Sequence, residues 1–120
     1  IRSSVGSRKT DLRDKLVNII EICGGEADVV GDYPAWEYKA ESKLREEIAV
    51  SYKAVYGKEP EFTAIHAGLE CGILSEKIED LDCVSFGPAN YDIHTPQERL
   101  NIESTERVWN FLVEYLKQAK

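Results

Sequence analysis

The stretch Ala64-Ile65-His66-Ala67-Gly68-Leu69-Glu70-Cys71-Gly72 decides how the rest of the sequence reads. Pro60 precedes a strand-type run, Phe62 to His66, and Gly68 breaks it. A short helix follows from about Leu69 to Ile78. A strand that passes through glycine into a helix is the basic unit of an α/β fold. Such a junction also has a chemical use. The first turn of a helix presents free backbone N–H groups and a partial positive charge, which suit a carboxylate or phosphate. Glycine lets a ligand approach the backbone closely. The plainer reading is a tight turn in which Glu70 favours the helix start electrostatically.

Outward from this junction the same alternation continues. Ile1–Val5 reads as a short strand. Ser7 is a candidate N-cap for a helix from Arg8 to Cys23, with Leu12, Leu16, Ile19, Ile20 and Cys23 on one face. Gly24-Gly25 stops it, because glycine tolerates the left-handed residue after a helix. Ala27 to Tyr33 is a second strand candidate, limited by Pro34. Glu37 to Tyr56 carries Leu44, Ile48, Tyr52, Val55 and Tyr56 as a helical stripe, and Gly57 closes it. Asp82 to Phe86 reads as a buried strand, and an irregular stretch runs from Gly87 to Ile102. A last helix from Ser104 turns Val108, Phe111, Leu112, Tyr115 and Leu116 inward. The expected fold class is therefore α/β, with strand-helix alternation and a candidate boundary near Pro34 to Glu37.

Composition narrows the function. The 120 residues carry 15 Lys+Arg against 22 Asp+Glu, a net charge of -7, which argues against binding to a phosphate backbone. No apolar run is long enough to span a membrane, and the opening residues do not read as a signal peptide. At 42% apolar and 31% charged, the balance is that of a soluble globular protein of one-domain length. Yet the sequence has no Met and begins at Ile1 in what reads as mid-strand. It therefore reads as a piece cut from a longer protein. Cys23, Cys71 and Cys83 form no CxxC pair, so reduced thiols in a cytoplasmic protein are expected.

Three further sets of residues bear on chemistry. Gly87-Pro88-Ala89-Asn90-Tyr91-Asp92-Ile93-His94-Thr95-Pro96-Gln97-Glu98 follows a predicted strand, where functional loops of α/β sheets lie. His94, beside a rigid proline, suits a positioned metal ligand, although one histidine cannot hold zinc alone. The alternative is a solvent-facing loop histidine. Asp92 either orients that ring or caps a turn. His66 and Cys71 suggest a thiol-imidazole pair: a helix N-terminus would lower the Cys71 pKa, whereas a buried structural cysteine is the commoner case. Arg2 either is a solvated strand residue or offers a bidentate fork to a carboxylate.

The run His66-Ala67-Gly68-Leu69-Glu70-Cys71-Gly72 resembles the HAGLECG motif of the aminoacyl-histidine (Xaa-His) dipeptidases in the M20 metallopeptidase family. Ser85-Phe86-Gly87-Pro88, followed by His94-Thr95-Pro96-Gln97-Glu98, resembles that family's S-x-G-P…H-[ST]-P-x-E signature. Arg2-Ser3-Ser4 resembles the R-S-S of its lid. The three motifs stand in the family's order and cover essentially the whole chain.

The resemblance implies a zinc-dependent hydrolase of Xaa-His dipeptides, with two zinc ions in an α/β catalytic domain and a smaller inserted lid that often forms homodimers. Residues 1–35 would end the lid, and 36–120 would form the C-terminal part of the catalytic domain. His94 matches the last metal ligand. Arg2 and Gly68 match positions that hold the substrate's terminal carboxylate, and Glu70 belongs to the motif without a defined role. The family's other ligands and its general base lie N-terminal to the matching segment. The chain alone is therefore expected to hold no zinc, to lack catalytic residues and to be inactive. The other readings are a non-catalytic α/β module that binds a small anion or a protein partner, and a Cys71–His66 thiol enzyme.

Overall fold

A computed structural model describes residues 1–66 and 70–119. Their order is α1 (Gly6–Ile22), α2 (Lys43–Tyr56), α3 (Glu70–Lys77), β1 (Asn90–Tyr91), β2 (Arg99–Leu100) and α4 (Ile102–Gln118). The chain divides into two compact units, Ile1–Glu41 with Phe62–Cys83, and Ser42–Glu61 with Val84–Lys120. No helix among the described residues is long and apolar enough to cross a membrane.

In the first unit, α1 begins one residue before the expected cap. Val5 is the N-cap and supplies no side-chain bond. The Glu37 carboxylate instead accepts the Gly6 N–H at 2.7 Å, satisfying one of the free donors of the first turn. At the other end Gly24 adopts φ 82°. The Gly25 N–H reaches the Ile20 carbonyl and the Gly24 N–H reaches that of Glu21, both at 2.9 Å. This closure needs a left-handed residue, and glycine takes it without a Cβ clash. Asp32 fastens the segment after α1 back onto the helix, accepting from Lys9 Nζ at 2.5 Å and from Arg13 at 2.8 Å. Lys9 Nζ also donates to the Tyr33 carbonyl. The start of α3 lies close to this segment. A Cβ on Gly72 would stand 3.0 Å from the Pro34 carbonyl oxygen, so glycine permits the approach.

In the second unit α2 packs on α4 around Ile48 and Phe111, the two buried apolar side chains among the described residues. The Ser42 hydroxyl caps α2 by accepting the Arg45 N–H at 3.0 Å, and Gly57 ends it at φ 68°. Phe111 meets Tyr52 and Phe86 edge-on, with centroids at 5.6 and 5.1 Å. That geometry opposes the positive ring edge to the negative face. Asn101 caps α4 by accepting the Ser104 N–H at 2.8 Å. The buried Ser104 hydroxyl in turn accepts the Ala89 N–H at 2.8 Å, which anchors the preceding loop to the helix start.

Helix positions follow the periodicity, with shifted starts. α2 begins at Lys43 and not at Glu37, because Ser42 caps and the apolar stripe begins only at Leu44. α4 begins at Ile102 and not at Ser104, since Asn101 caps it. The expected strands are corrected. Among the described residues the only ladder is antiparallel β1–β2, with Asn90 opposite Leu100 and Tyr91 opposite Arg99. It lies inside the stretch expected to be irregular. Ile1–Val5, Ala27–Tyr33, Phe62–His66 and Asp82–Phe86 carry no strand. The reason is physical: an apolar run becomes a strand only when a neighbour accepts its N–H and C=O groups. Among the described residues none of these segments forms a ladder, and Val30 and Ile65 remain 86% and 51% exposed. The described architecture is thus mostly helical. The apolar face of α1 is not buried either, since no residue of α1 is.

Candidate functional site

The first unit contains a cleft of about 440 Å³ lined by Arg2, Lys9, Asp32, Tyr33, Glu70 and Ile73, among others. Two of the residues singled out from sequence, Arg2 and Glu70, therefore share one concavity. Gly68 lies outside the described residues. The local structure explains the cleft. α1 supplies Lys9, Asp32 is clamped beneath it, and the first turn of α3 brings Glu70. The hydrogen bond from Lys9, aided by the Arg13 charge, holds the Asp32 carboxyl below the usual carboxylate range. Lys9 and Asp32 thus neutralise each other. Arg2 and Glu70 form no ion pair among the described residues, which leaves the guanidinium fork open to a carboxylate.

The chain leading to Arg2 is tied to the HAGLECG segment. His66 Nδ1 accepts the backbone N–H of Ser4 at 2.9 Å, across 62 residues of sequence. Cys71 differs from expectation. Burial, followed by the neighbouring Cys83 thiol, pushes it up to about 11, so the helix start does not lower it. A thiol so protonated at neutral pH is a poor nucleophile, and His66 Nδ1 is already engaged by Ser4. The thiol-enzyme reading thus loses the lowered pKa it relied on.

In the second unit His94 sits in the loop closed by β1 and β2. Its backbone is left-handed, φ 64°, as is that of Asp92 at φ 52°. Few non-glycine residues adopt this region, though Asp and His are among those that do. The loop holds them with side chains. Glu98 Oε2 accepts the His94 N–H at 3.0 Å and Glu98 Oε1 accepts from Asn90 at 2.9 Å. These two bonds, the Asn90 one foremost, lower the Glu98 pKa. Asp92 pairs with Arg99 at 3.0 Å, so its carboxylate is turned to that partner. Asn90 Oδ1 is buried without a hydrogen-bond partner among the described residues. No group of three or more His, Cys, Asp or Glu among the described residues is placed to hold a metal ion. The described residues therefore do not by themselves fit a metal centre.

Reading the sequence alone missed Lys9 and Asp32 in the cleft, and gave Glu98 and Asn90 no role in the His94 loop. The signal for Glu98 was its place four residues after His94, within a loop too short for its carboxylate to lie far away.

No family model matches the chain. It is 34% identical over 118 residues, 98% of its length, to the cytosol non-specific dipeptidase of Escherichia coli (strain K12), of which it covers 24%. It superposes on the crystal structure of aminoacylhistidine dipeptidase from Vibrio alginolyticus with a TM-score of 0.79 and 31% identity, covering 98% of this chain and 24% of that one. The chain thus spans about a quarter of the length of these relatives. Along nearly all of that span, it is a homologue of a segment of the aminoacylhistidine and cytosol non-specific dipeptidases.

Proposed function

We propose that the chain is the carboxylate-binding and C-terminal part of an M20-type, zinc-dependent dipeptidase acting on Xaa-His dipeptides in the cytoplasm. In this reading residues 1–35 end a lid, the site of any homodimer contact, and 36–120 belong to the catalytic domain. Arg2 and Gly68 grip the terminal carboxylate of the dipeptide, with Glu70 in the same cleft. His94 contributes one metal ligand. The remaining ligands and the general base come from another part of the same protein, where the metal would supply the activated water. The observation that carries the reading is that Arg2 and Glu70, distant in sequence and both singled out by the motifs, line one cleft.

The test is Arg2→Ala in the full-length protein, assayed on an Xaa-His dipeptide. A hydrogen bond to a charged group contributes about 1.5–3 kcal/mol, so KM should rise about tenfold or more. Because the grip is the same in ground and transition states, kcat should change little. A KM unchanged within error would remove Arg2 from the site. Hydrolysis by the isolated 120 residues would refute the division of the machinery.

A further inference from the structure

His66 is the first residue of the HAGLECG run, and the reading above gives it no task. The geometry points to one. Its Nδ1 accepts the Ser4 N–H at 2.9 Å. An imidazole that accepts at Nδ1 carries its proton on Nε2, so this contact selects one tautomer. Ser4 is two residues beyond Arg2, and a second tie lies just beyond it, where the Ser3 hydroxyl accepts the Val5 N–H at 3.0 Å. Glu70 is four residues beyond His66 and lines the same cleft as Arg2. The bond therefore joins the two stretches of chain that build the cleft. Residues 1–5 form no strand ladder that would otherwise hold Arg2 in place.

We infer that His66 is a positioning residue for substrate binding: by holding the Ser4 N–H it fixes the Arg2 backbone relative to the α3 side of the cleft, so that the guanidinium meets the substrate carboxylate already ordered. The inference rests on the carboxylate-binding reading of Arg2 and assigns His66 no contact with substrate. Prepositioning a charged fork removes the ordering cost from the binding step. Loss of His66 should therefore act on KM through Arg2 and leave kcat alone. His66→Asn retains an acceptor close to the position of Nδ1, whereas His66→Leu has none.

The experiment uses the full-length protein and an Xaa-His dipeptide, with Arg2→Ala, His66→Leu, His66→Asn and the double variant Arg2→Ala/His66→Leu. His66→Leu should raise KM about fivefold to tenfold with kcat within about twofold, and His66→Asn should return KM to within about twofold of the parent. In the Arg2→Ala background His66→Leu should add less than about twofold, because its effect passes through the missing guanidinium. A His66→Leu penalty that persists in full without Arg2, or that His66→Asn fails to relieve, overturns the positioning role. So does an unchanged KM in His66→Leu while Arg2→Ala retains its own effect. An Arg2→Ala variant with parental KM fells the carboxylate reading instead, and this inference with it.

Discussion

Glu98 holds the backbone of His94: its Oε2 accepts the His94 N–H at 3.0 Å while its Oε1 accepts the Asn90 side-chain amide at 2.9 Å. The two bonds span the loop between β1 and β2, and they fix the one residue in it that the motif marks as a metal ligand. His94 has φ 64°, a conformation that its neighbours must maintain. Thr95 contributes as well, its hydroxyl donating to the Asp92 carbonyl at 2.7 Å.

Replacing Glu98 should therefore loosen His94 without touching its ring. On the proposed reading of His94 as a zinc ligand, Glu98→Ala in the full-length protein should weaken zinc retention about tenfold, the scale on which outer partners of metal ligands act. Glu98→Gln keeps an acceptor for the His94 N–H and should fall between Ala and the parent. Zinc content after dialysis against a graded chelator reads the order directly. Equal retention in the Ala variant and the parent would mean that the loop holds its shape without Glu98.

The stability of the second unit rests on few side chains. Phe111 is 3% exposed and touches Tyr52 and Phe86, whereas Trp109, two positions away on α4, is 64% exposed. Phe111→Ala should cost about 3–5 kcal/mol in unfolding free energy. Trp109→Ala should stay within about 0.5 kcal/mol. Denaturant melts of the two variants at matched concentration make the comparison.

Asp32 predicts an acid response with a definite sign. Its folded pKa lies below the ordinary carboxylate value, chiefly through the Lys9 hydrogen bond. A carboxylate of this kind contributes stability above its unfolded pKa, and the contribution is lost as pH falls through the folded one. Asp32→Asn should therefore lower the thermal midpoint at pH 6, and the gap from the parent should close as pH falls below about 4. Because the group is exposed, added salt should also shrink the gap. A gap that is constant from pH 6 to 3 would place the effect elsewhere.

The sequence made the helices legible because each carries its own signal. Leu44, Ile48, Tyr52, Val55 and Tyr56 repeat at helical spacing and Gly57 closes them, whereas the start at Ser42 emerges only from the structure. The strands were not legible in the same sense. Val29, Val30 and Ile65 are strand-type residues, but a ladder is a property of two segments, and among the described residues they form none. The site divides along the same line. Arg2, Glu70 and His94 stand out because motifs name them. Lys9, Asp32 and the Glu98 clamp depend on how loops fold back on helices, which no local spacing encodes. The cleft itself is a long-range product of α1, the Asp32 segment and α3.

Cys71 offers a test that separates local from tertiary effects. A residue in the first turn of a helix would ordinarily have its thiolate stabilised by the backbone N–H groups. Here burial opposes that and outweighs it, with the Cys83 thiol adding to the rise, and Cys71 is pushed up to about 11. Cys23, at the end of α1, is exposed. At pH 7.5 iodoacetamide should therefore label Cys23 well before Cys71, and the Cys71 rate should climb steeply only as pH approaches 11. Peptide mass spectrometry of a timed labelling series gives both rates. The result also bears on mechanism. Should Cys71 react as fast as Cys23 at pH 7.5, its thiolate would be accessible and the nucleophile reading would regain its footing. Slow labelling, with the proposed dipeptidase activity of the full-length protein retained after complete alkylation at higher pH, assigns Cys71 to packing.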